Sequence, residues 1–270
     1  MYFIMRTLVF ITLLVFSFWS VAEPTKVTFY ADDSYPPYSY IENGKAKGVY
    51  ADIIEAISAD LPDYEIELVA ANWEVGKAKV ESGEILGLVG AYFHAHDWPY
   101  MYPYSYPLNQ ETVVTVCGEN TFNKETREWP VEYKGLLVGN VAGYDGWLGG
   151  EVRTEENTSY ANFLEVPSAE LALKMVVKDR IDCTLFEKSV FHWTFKNLRD
   201  SKQFSTTTDE TPHITSIITG ETVHIGYSVK ALKENKFPFA DDLLKKLDIK
   251  LHQMRRAGTL KEIQMQYGIE

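Results

Sequence analysis

Positive charge is scarce in this chain: its 270 residues include 26 Lys and Arg against 38 Asp and Glu, which leaves a formal net charge of −12. A chain this acidic repels phosphate backbones and anionic lipid head groups, because like charges oppose the approach of both. We therefore expect no nucleic-acid partner. The charge balance is typical of a soluble protein and indicates nothing more specific.

Long apolar runs are also lacking, apart from one at the N-terminus. Arg6 is the only charged residue among the first 22, and the apolar segment that follows it extends from Leu8 to Trp19. That segment is shorter than the roughly 20 residues of a membrane-spanning helix. The small residues from Ser20 to Ala22 are typical of a signal-peptidase site. We predict a cleaved signal peptide over residues 1–22, the alternative being an uncleaved anchor.

Cysteine is rare, and the usual motifs of catalysis are absent. The chain has two cysteines, Cys117 and Cys183. Export permits a disulfide between them, and two buried free thiols are the alternative. Neither cysteine stands in a nucleophile signature, and no Gly-x-Ser-x-Gly elbow occurs. The glycine-rich segment 143–150 lacks the Lys-Ser/Thr pair of a phosphate-binding loop. We expect no enzyme activity and no cofactor.

The pattern of apolar residues predicts strands that alternate with helices along the mature chain. Predicted strands lie at 26–30, 65–69, 85–89, 136–141, 163–166 and 181–186, and predicted helices at 48–61, 73–82, 168–177 and within 239–267. Such alternation is typical of mostly parallel sheets covered by helices on both faces. The predicted fold class is therefore α/β.

The mature chain contains two strand–helix–strand units, but no Pro-, Ser- or Gly-rich linker divides them. Each unit has roughly 90 to 110 residues, a usual size for a small domain. Two extended stretches rich in β-branched residues, at 111–116 and 222–228, connect the units. We therefore predict a discontinuous first lobe, residues 23–112 plus 224–270, that is hinged to a continuous second lobe, residues 113–223.

Several short motifs stand in an order that resembles one known family. They are DDSYPPYSY at 32–40, GVYADI at 48–53, Trp73 with VESG at 80–83, YSYPL at 104–108, KGLLVGNVAG at 134–143, RID at 180–182 and RAGTL at 256–260. Together they resemble the family 3 solute-binding proteins, which serve polar amino-acid ABC importers. The resemblance covers nearly all of the mature chain. It implies a type II periplasmic-binding-protein fold, with two mixed sheets flanked by helices and joined by two hinge strands.

The resemblance also implies which residues of the cleft between the lobes contact ligand. Tyr35 matches an aromatic residue that stacks on ligand in histidine- and lysine/arginine/ornithine-binding members. Asp32 matches an acid that meets a side-chain cation, and Trp73 matches an apolar residue that packs on ligand. Glu187 matches the aspartate that receives the α-ammonium. Backbone and hydroxyl contacts are implied at Gly90, Ala91 and Phe93.

Two positions depart from the family pattern. The arginine that binds the ligand's α-carboxylate aligns with Trp98, and the Gly-Thr-Thr turn that donates to the same carboxylate reads Gly143-Tyr144-Asp145. A bidentate guanidinium contributes charge-assisted bonds of roughly 1.5–3 kcal/mol each, so its loss is costly. An aspartate beside an unpaired carboxylate reverses the electrostatics of the site. A free α-amino acid in the usual pose is therefore disfavoured, although Asp145 has an alternative role as a helix cap.

The remaining candidates in the cleft are acids and aromatic side chains. Aromatic faces attract a cation by roughly 0.5–2 kcal/mol per ring, and they also suit a neutral ring. We therefore expect a small polar ligand that is cationic or neutral and resembles an amine or an aromatic compound. The candidate ligand-binding residues are Asp32, Tyr35, Tyr38, Trp73, Gly90, Ala91, Tyr92, Trp98, Tyr144, Asp145 and Glu187.

Other aromatic and charged residues have simpler interpretations. For Glu187 the alternative is a surface ion pair with Lys188 or Lys196. Core packing is the interpretation for Tyr50, Tyr64, Tyr102 and Trp193.

The segment from His94 to Asp97 has the spacing of a metal-binding site. Alternating ligands at His94 and His96, next to Asp97, suit a zinc ion, but the sequence identifies no third or fourth ligand. Polar residues on a loop are therefore the interpretation, and no metal is expected.

The resemblance implies a periplasmic receptor that delivers a small molecule to an inner-membrane ABC permease and that is a monomer. Two other functions stay open. An enzyme of the cyclohexadienyl dehydratase type needs a general acid in the cleft, which Glu187 or Asp145 would supply. A ligand-loaded sensor that docks on a membrane receptor uses the same fold, and the sequence does not separate it from an importer's receptor.

Overall fold

The computed structural model describes residues 23–121, 128–145, 161–204 and 211–269. The predicted signal peptide, residues 1–22, lies outside the described residues. Over the described ranges, none of the helices is both long and apolar enough to cross a lipid bilayer.

Strands and helices alternate along the described chain, as the apolar pattern predicts. The first part forms β1 (Thr25–Asp32), β2 (Ser34–Tyr35), β3 (Ser39–Glu42), β4 (Lys45–Lys47), α1 (Val49–Ala59), β5 (Tyr64–Ala71), α2 (Trp73–Glu81), β6 (Gly87–Tyr92), β7 (Met101–Tyr104) and β8 (Asn109–Cys117). The second part forms a 3₁₀ turn (Val131–Tyr133), β9 (Leu137–Val141), β10 (Asn162–Val166), α3 (Ala169–Val177), β11 (Cys183–Glu187), α4 (Lys188–Asp200), β12 (His213–Ser228), α5 (Val229–Lys233), α6 (Ala240–Ala257) and α7 (Thr259–Gln266). The α/β class is confirmed.

Over the described residues one mixed sheet of nine strands organises the molecule, where two separate mixed sheets were expected, because the two connecting strands pair with each other and join the two halves. Its order is β10-β9-β11-β8-β12-β6-β1-β5, with β7 paired to β12, and β2, β3 and β4 form a separate small sheet. The central strands β8 and β12 contain the two extended stretches that connect the units, and they pair in antiparallel register. Strands of the first unit lie on one side of this pair and strands of the second unit on the other. The division into lobes 23–112 plus 224–270 and 113–223 stays a prediction.

Local sequence signals explain where several helices begin. The Asn72 side chain accepts hydrogen bonds from the first turn of α2, and Ser168 Oγ accepts one from Leu171 N at 3.2 Å at the start of α3. Capping of this kind satisfies backbone donors that the helix itself leaves unpaired. The long helix α6 buries one face at three- and four-residue spacing, and the buried residues include Leu243, Leu247, Leu251 and Met254.

Helix α4 is absent from the predicted helices. Its first turn is capped by the Glu187 side chain, which accepts from Ser189 N at 2.7 Å and from Val190 N at 2.9 Å. Its buried face includes Phe191 and Leu198. The buried residues Val190, Phe191, Thr194 and Leu198 recur at helical spacing, so the segment contains a helical period that the prediction overlooked.

The two cysteines form a disulfide, so the alternative of free thiols is wrong. Cys117 and Cys183 lie directly opposite each other on the antiparallel strands β8 and β11. The bond closes a loop with a sequence separation of 66 residues. Closing a loop of this length in the unfolded chain stabilises the folded state by about 4 kcal/mol in the chain-entropy model. The disulfide therefore anchors one central strand to the second unit.

Candidate functional site

A cavity of about 40 Å³ brings together side chains from distant parts of the chain. Its polar residues are few, and none of the described residues that line it is basic. Most of the wall is aromatic. The lining residues are Asp32, Tyr35, Ser39, Tyr50, Trp73, Val89, Gly90, Tyr92, Trp98 and Tyr144.

The sheet topology explains why these residues meet. Strand β1 runs parallel to β5 and β6, so the carboxyl ends of the three strands lie at one edge of the sheet. Asp32 and Tyr92 are the last residues of β1 and β6, and Trp73 begins the helix that follows β5. Ligands of open α/β sheets bind outside the carboxyl ends of strands, which is the position of this cavity.

Asp32 is a buried acid on the cavity wall, with 6% of its surface exposed. Its carboxylate accepts hydrogen bonds from Tyr144 Oη at 2.6 Å and from Ser34 N at 2.8 Å. Burial raises the pKa of Asp32, and these hydrogen bonds oppose the rise by favouring the ionised form. Tyr144 belongs to the turn after β9, so this bond joins the second unit to the first across the cavity.

A second buried carboxylate, that of Glu111, lies behind the aromatic wall. Its Oε2 accepts from Tyr35 Oη at 2.8 Å and from Tyr92 Oη at 2.6 Å, and its Oε1 accepts from Tyr50 Oη. All three rings line the cavity. Burial raises the pKa of Glu111, and the three tyrosine bonds oppose that rise. Glu111 was not among the predicted residues, because its strand reads only as an extended connection.

Glu187 is the third buried carboxylate of the region. It caps α4 and accepts a long bond from Thr112 N at 3.5 Å. Burial, and then the negative charge of Glu111, raise the pKa of Glu187 to about 8. Its side chain does not line the cavity. The alternative of a surface ion pair is wrong, because Glu187 is buried and Lys196 pairs with Asp200 at 3.0 Å.

Asp145 follows Tyr144, a residue of the cavity wall, and is paired with a base that was not predicted. Lys77 Nζ, on α2, donates to Asp145 Oδ1 at 2.9 Å and to Gly143 O at 3.0 Å. The same ammonium group lies 5.6 Å from the centre of the Trp98 ring. Lys77 follows Trp73 by four residues, the spacing that places two side chains on one helix face. The residues after Asp145 lie outside the described ranges, so its role as a helix cap stays untested.

The remaining candidates lie behind the wall or away from it. Tyr38 is buried and stacks between Tyr35 and Tyr50, with ring centres 5.6 and 5.4 Å away, so it supports the wall from behind. Ala91 is buried in β6 without lining the cavity, and Phe93, with 52% of its surface exposed, packs on Tyr104.

Two residues assigned to core packing have other positions. Tyr50 is buried but forms part of the cavity wall and donates to Glu111, so core packing is an incomplete description of it. Tyr102 has 56% of its surface exposed and does not belong to the core. Tyr64 is buried against Phe239, as expected of a core residue. Ser39 and Val89 line the cavity but were not predicted, since nothing in a strand pattern marks a residue as facing a cavity.

Residues 27–270 match the family model described as bacterial extracellular solute-binding proteins, family 3. The chain belongs to this family. No curated protein sequence is significantly similar to it.

Solved structures share the fold of this solute-binding protein at low sequence identity. A histidine kinase sensor domain with similarity to periplasmic binding proteins has a TM-score of 0.71 at 15% identity, covering 91% of this chain and 96% of that chain. The arginine-, lysine-, histidine-binding protein ArtJ from Geobacillus stearothermophilus has a TM-score of 0.65 at 16% identity, covering 90% and 95%. The ancestral amino acid-binding protein AncCDT-1, a precursor of cyclohexadienyl dehydratase, has a TM-score of 0.66 at 16% identity, covering 90% and 95%. The periplasmic-binding-protein fold is thereby confirmed.

In this family 3 protein, Trp98 and Tyr144 stand at positions that depart from the family pattern, and both line the cavity. Trp98 presents an indole ring to the cavity and contacts Trp73, with ring centres 6.4 Å apart. Tyr144 reaches into the cavity and bonds to Asp32. The arrangement therefore offers aromatic faces and a carboxylate to a bound molecule.

Proposed function

We propose that this solute-binding protein is the periplasmic receptor of an ABC-type importer and that it binds a small cationic or amine-like molecule in its aromatic cavity. The observation that carries the proposal is the pairing of aromatic walls with buried carboxylates and no basic lining residue among those described. The proposal includes a cleaved signal peptide, a monomeric protein and an inner-membrane permease as partner.

The electrostatics of the cavity favour a cation over an anion. Asp32 faces the cavity, and Glu111 lies one aromatic ring behind it. A desolvated carboxylate repels a second anion strongly, because little water remains to screen the two charges. Each ring that faces a cation contributes about 0.5–2 kcal/mol of attraction. The carboxylates of Asp32 and Glu111 repel a dicarboxylic ligand.

Entry of a ligand requires the cavity to open. A volume of about 40 Å³ accommodates a few water molecules, whereas small-molecule sites usually measure about 300–1,000 Å³. The Tyr144–Asp32 hydrogen bond and the Lys77–Asp145 ion pair hold the two units together over the cavity. We propose that both contacts break on opening, while the paired strands β8 and β12 bend as the hinge.

A thermal-shift screen followed by calorimetry tests the proposed ligand class. Methylated amines, polyamines and basic amino acids are compared with neutral aromatic compounds and with dicarboxylic amino acids. A ligand at a hundredfold excess over its Kd stabilises the protein by about 2.7 kcal/mol, so a true binder stands out. We expect amines to give the largest shifts. A dicarboxylic or ordinary neutral amino acid that binds with submicromolar Kd contradicts the proposal.

A sensor role is the second candidate, favoured by the similarity of fold to the histidine kinase sensor domain. The two roles differ in what loss of the protein does to the cell. Deletion of an importer's receptor abolishes uptake of the radiolabelled ligand, whereas deletion of a sensor leaves uptake intact and changes transcription. We expect loss of uptake.

The geometry does not favour the enzyme alternative. Glu187 accepts hydrogen bonds from backbone amides at the start of α4, and Asp145 is paired with Lys77. Neither acid lines the cavity in this arrangement, so neither is placed to protonate a bound substrate. Incubation with arogenate or prephenate, followed by absorbance, tests this alternative, and we expect no turnover.

A further inference from the structure

Three potential metal ligands converge on the loop between β6 and β7. His94, His96 and Asp97 each offer one ligand atom, and these atoms all lie within 4.8 Å of one another. Asp97 Oδ2 lies 3.3 Å from His94 Nδ1 and 3.0 Å from His96 Nε2. Two ligand atoms that each lie about 2.0–2.1 Å from a tetrahedral zinc ion are about 3.3 Å from each other. The distances from Asp97 Oδ2 to the two histidine nitrogens are already close to this value.

His94 is a buried side chain without a hydrogen-bond partner. The structure buries it, with 8% of the side chain exposed, whereas His96 and Asp97 are exposed, as expected for residues of a polar loop. Within the described part of the chain, neither Nδ1 nor Nε2 of His94 has a hydrogen-bond partner. The contact from Nδ1 to Asp97 is close but lacks hydrogen-bond geometry. A buried polar group without a partner is costly, and an ion bound at Nδ1 would supply the partner that this nitrogen lacks.

The backbone of the loop holds the three ligands together. The carbonyl oxygen of His94 accepts from Asp97 N at 3.1 Å and from Trp98 N at 2.7 Å, so the segment folds into one compact turn. The amide of His94 donates to Tyr104 Oη at 3.4 Å. The three ligands therefore belong to one hydrogen-bonded turn of the backbone.

We propose that His94, His96 and Asp97 form a binding site for a divalent transition-metal ion of the zinc class. Two imidazole nitrogens and one carboxylate oxygen suit Zn²⁺, Cu²⁺ or Ni²⁺, whereas Ca²⁺ and Mg²⁺ prefer oxygen ligands throughout. Three protein ligands leave a fourth position for water or for an exogenous group. His96, with 75% of its side chain exposed, lies on the solvent side of the site.

The proposed metal site adjoins the aromatic cavity. The His94 ring lies 5.1 Å from the Trp98 ring and 6.3 Å from the Tyr92 ring, and both of these residues line the cavity. An ion that fixes His94 therefore also restrains a wall of the cavity. The proposed metal site consists of His94, His96 and Asp97 alone, so the proposal does not depend on which solute the cavity binds.

Equilibrium dialysis of the tag-free secreted protein against Zn²⁺, with elemental analysis, tests the proposal. We expect one zinc ion per chain and a rise in the thermal midpoint. His96→Ala and Asp97→Asn change exposed or partly exposed side chains, so both variants are expected to fold. Each is expected to weaken zinc binding by roughly tenfold or more, since loss of even an outer-shell partner costs 10–100-fold.

His252→Ala removes another exposed histidine, on α6, and serves as the matched control. It is expected to bind zinc like the wild-type protein. Thermal midpoints of the metal-free variants show that each is folded. Electron paramagnetic resonance of the Cu²⁺ complex is expected to show coupling to two nitrogen nuclei, reduced to one in His96→Ala. Absence of zinc binding by the wild-type protein, or full binding by His96→Ala, overturns the proposal.

Discussion

Tyr144 Oη donates a hydrogen bond of 2.6 Å to the buried carboxylate of Asp32, and this bond joins the turn after β9 to the end of β1. The two residues are 112 positions apart in the chain, and both line the aromatic cavity. A ligand that uses Asp32 therefore competes with a side chain of the protein itself. This relationship connects the shape of the cavity to its affinity for solutes.

Tyr144→Phe is expected to strengthen the binding of an amine ligand by roughly tenfold. The variant keeps the ring on the cavity wall but removes the hydroxyl that competes for Asp32, and a hydrogen bond to a charged group is worth about 1.5–3 kcal/mol. Calorimetry with the tightest amine of the screen measures the change. Tyr102→Phe, at an exposed position, is the control and is expected to leave Kd unchanged. Weaker binding by Tyr144→Phe contradicts the competition argument.

Stability is expected to fall as the pH rises from about 4.5 to about 8. Burial and the charge of Glu111 raise the pKa of Glu187 from its ordinary value of 4.5 to about 8 in the folded protein. The folded state therefore holds more protons than the unfolded state across this window, and its free energy of unfolding decreases with rising pH. One group contributes at most about 1.4 kcal/mol per pH unit.

Urea unfolding at several pH values measures this dependence. Glu187→Gln keeps an oxygen that can cap α4 but does not ionise, so we expect a flatter pH profile for it. A pH profile of Glu187→Gln with the same slope as that of the wild-type protein is the result that contradicts a raised pKa at this position.

Removal of the disulfide is expected to destabilise the protein by about 4 kcal/mol without changing its fold. The bond joins Cys117 on β8 to Cys183 on β11, and the strands also pair through their backbones. Urea unfolding of the Cys117→Ala, Cys183→Ala double variant, and of the wild-type protein after reduction, measures the loss. The two measurements serve as controls for each other. A loss below about 1 kcal/mol in both contradicts the argument from loop closure.

The sequence predicts much of the fold, because the strands and helices of the first unit carry clear apolar periods. Residues a few positions after a parallel strand, such as Tyr35 after β1 and Trp73 after β5, are also predictable as cavity residues, since strand ends meet at one edge of a parallel sheet. The capping of α3 by Ser168 follows from its position before an apolar run.

The contacts of the site are less predictable because they join residues far apart in the chain. Glu111 meets hydroxyl groups of tyrosines 19 to 76 positions away, and no local pattern marks it as their partner. The ion pair of Lys77 with Asp145 spans 68 positions. Tyr50 lies on the buried face of α1 and also lines the cavity wall. The pattern of apolar residues does not distinguish a buried core residue from a residue that faces a cavity. The spacing of Cys117 and Cys183 likewise did not decide between a disulfide and two free thiols.

The affinity of Asp32→Asn for an amine ligand tests the central claim most directly. The substitution keeps the size of the side chain and removes the charge that faces the cavity, while Asp33→Asn changes the adjacent, less buried aspartate as a matched control. Calorimetry is expected to give a Kd at least tenfold higher for Asp32→Asn and an unchanged Kd for Asp33→Asn. Equal affinities of Asp32→Asn and the wild-type protein would contradict the claim that the cavity recognises a cation through this carboxylate.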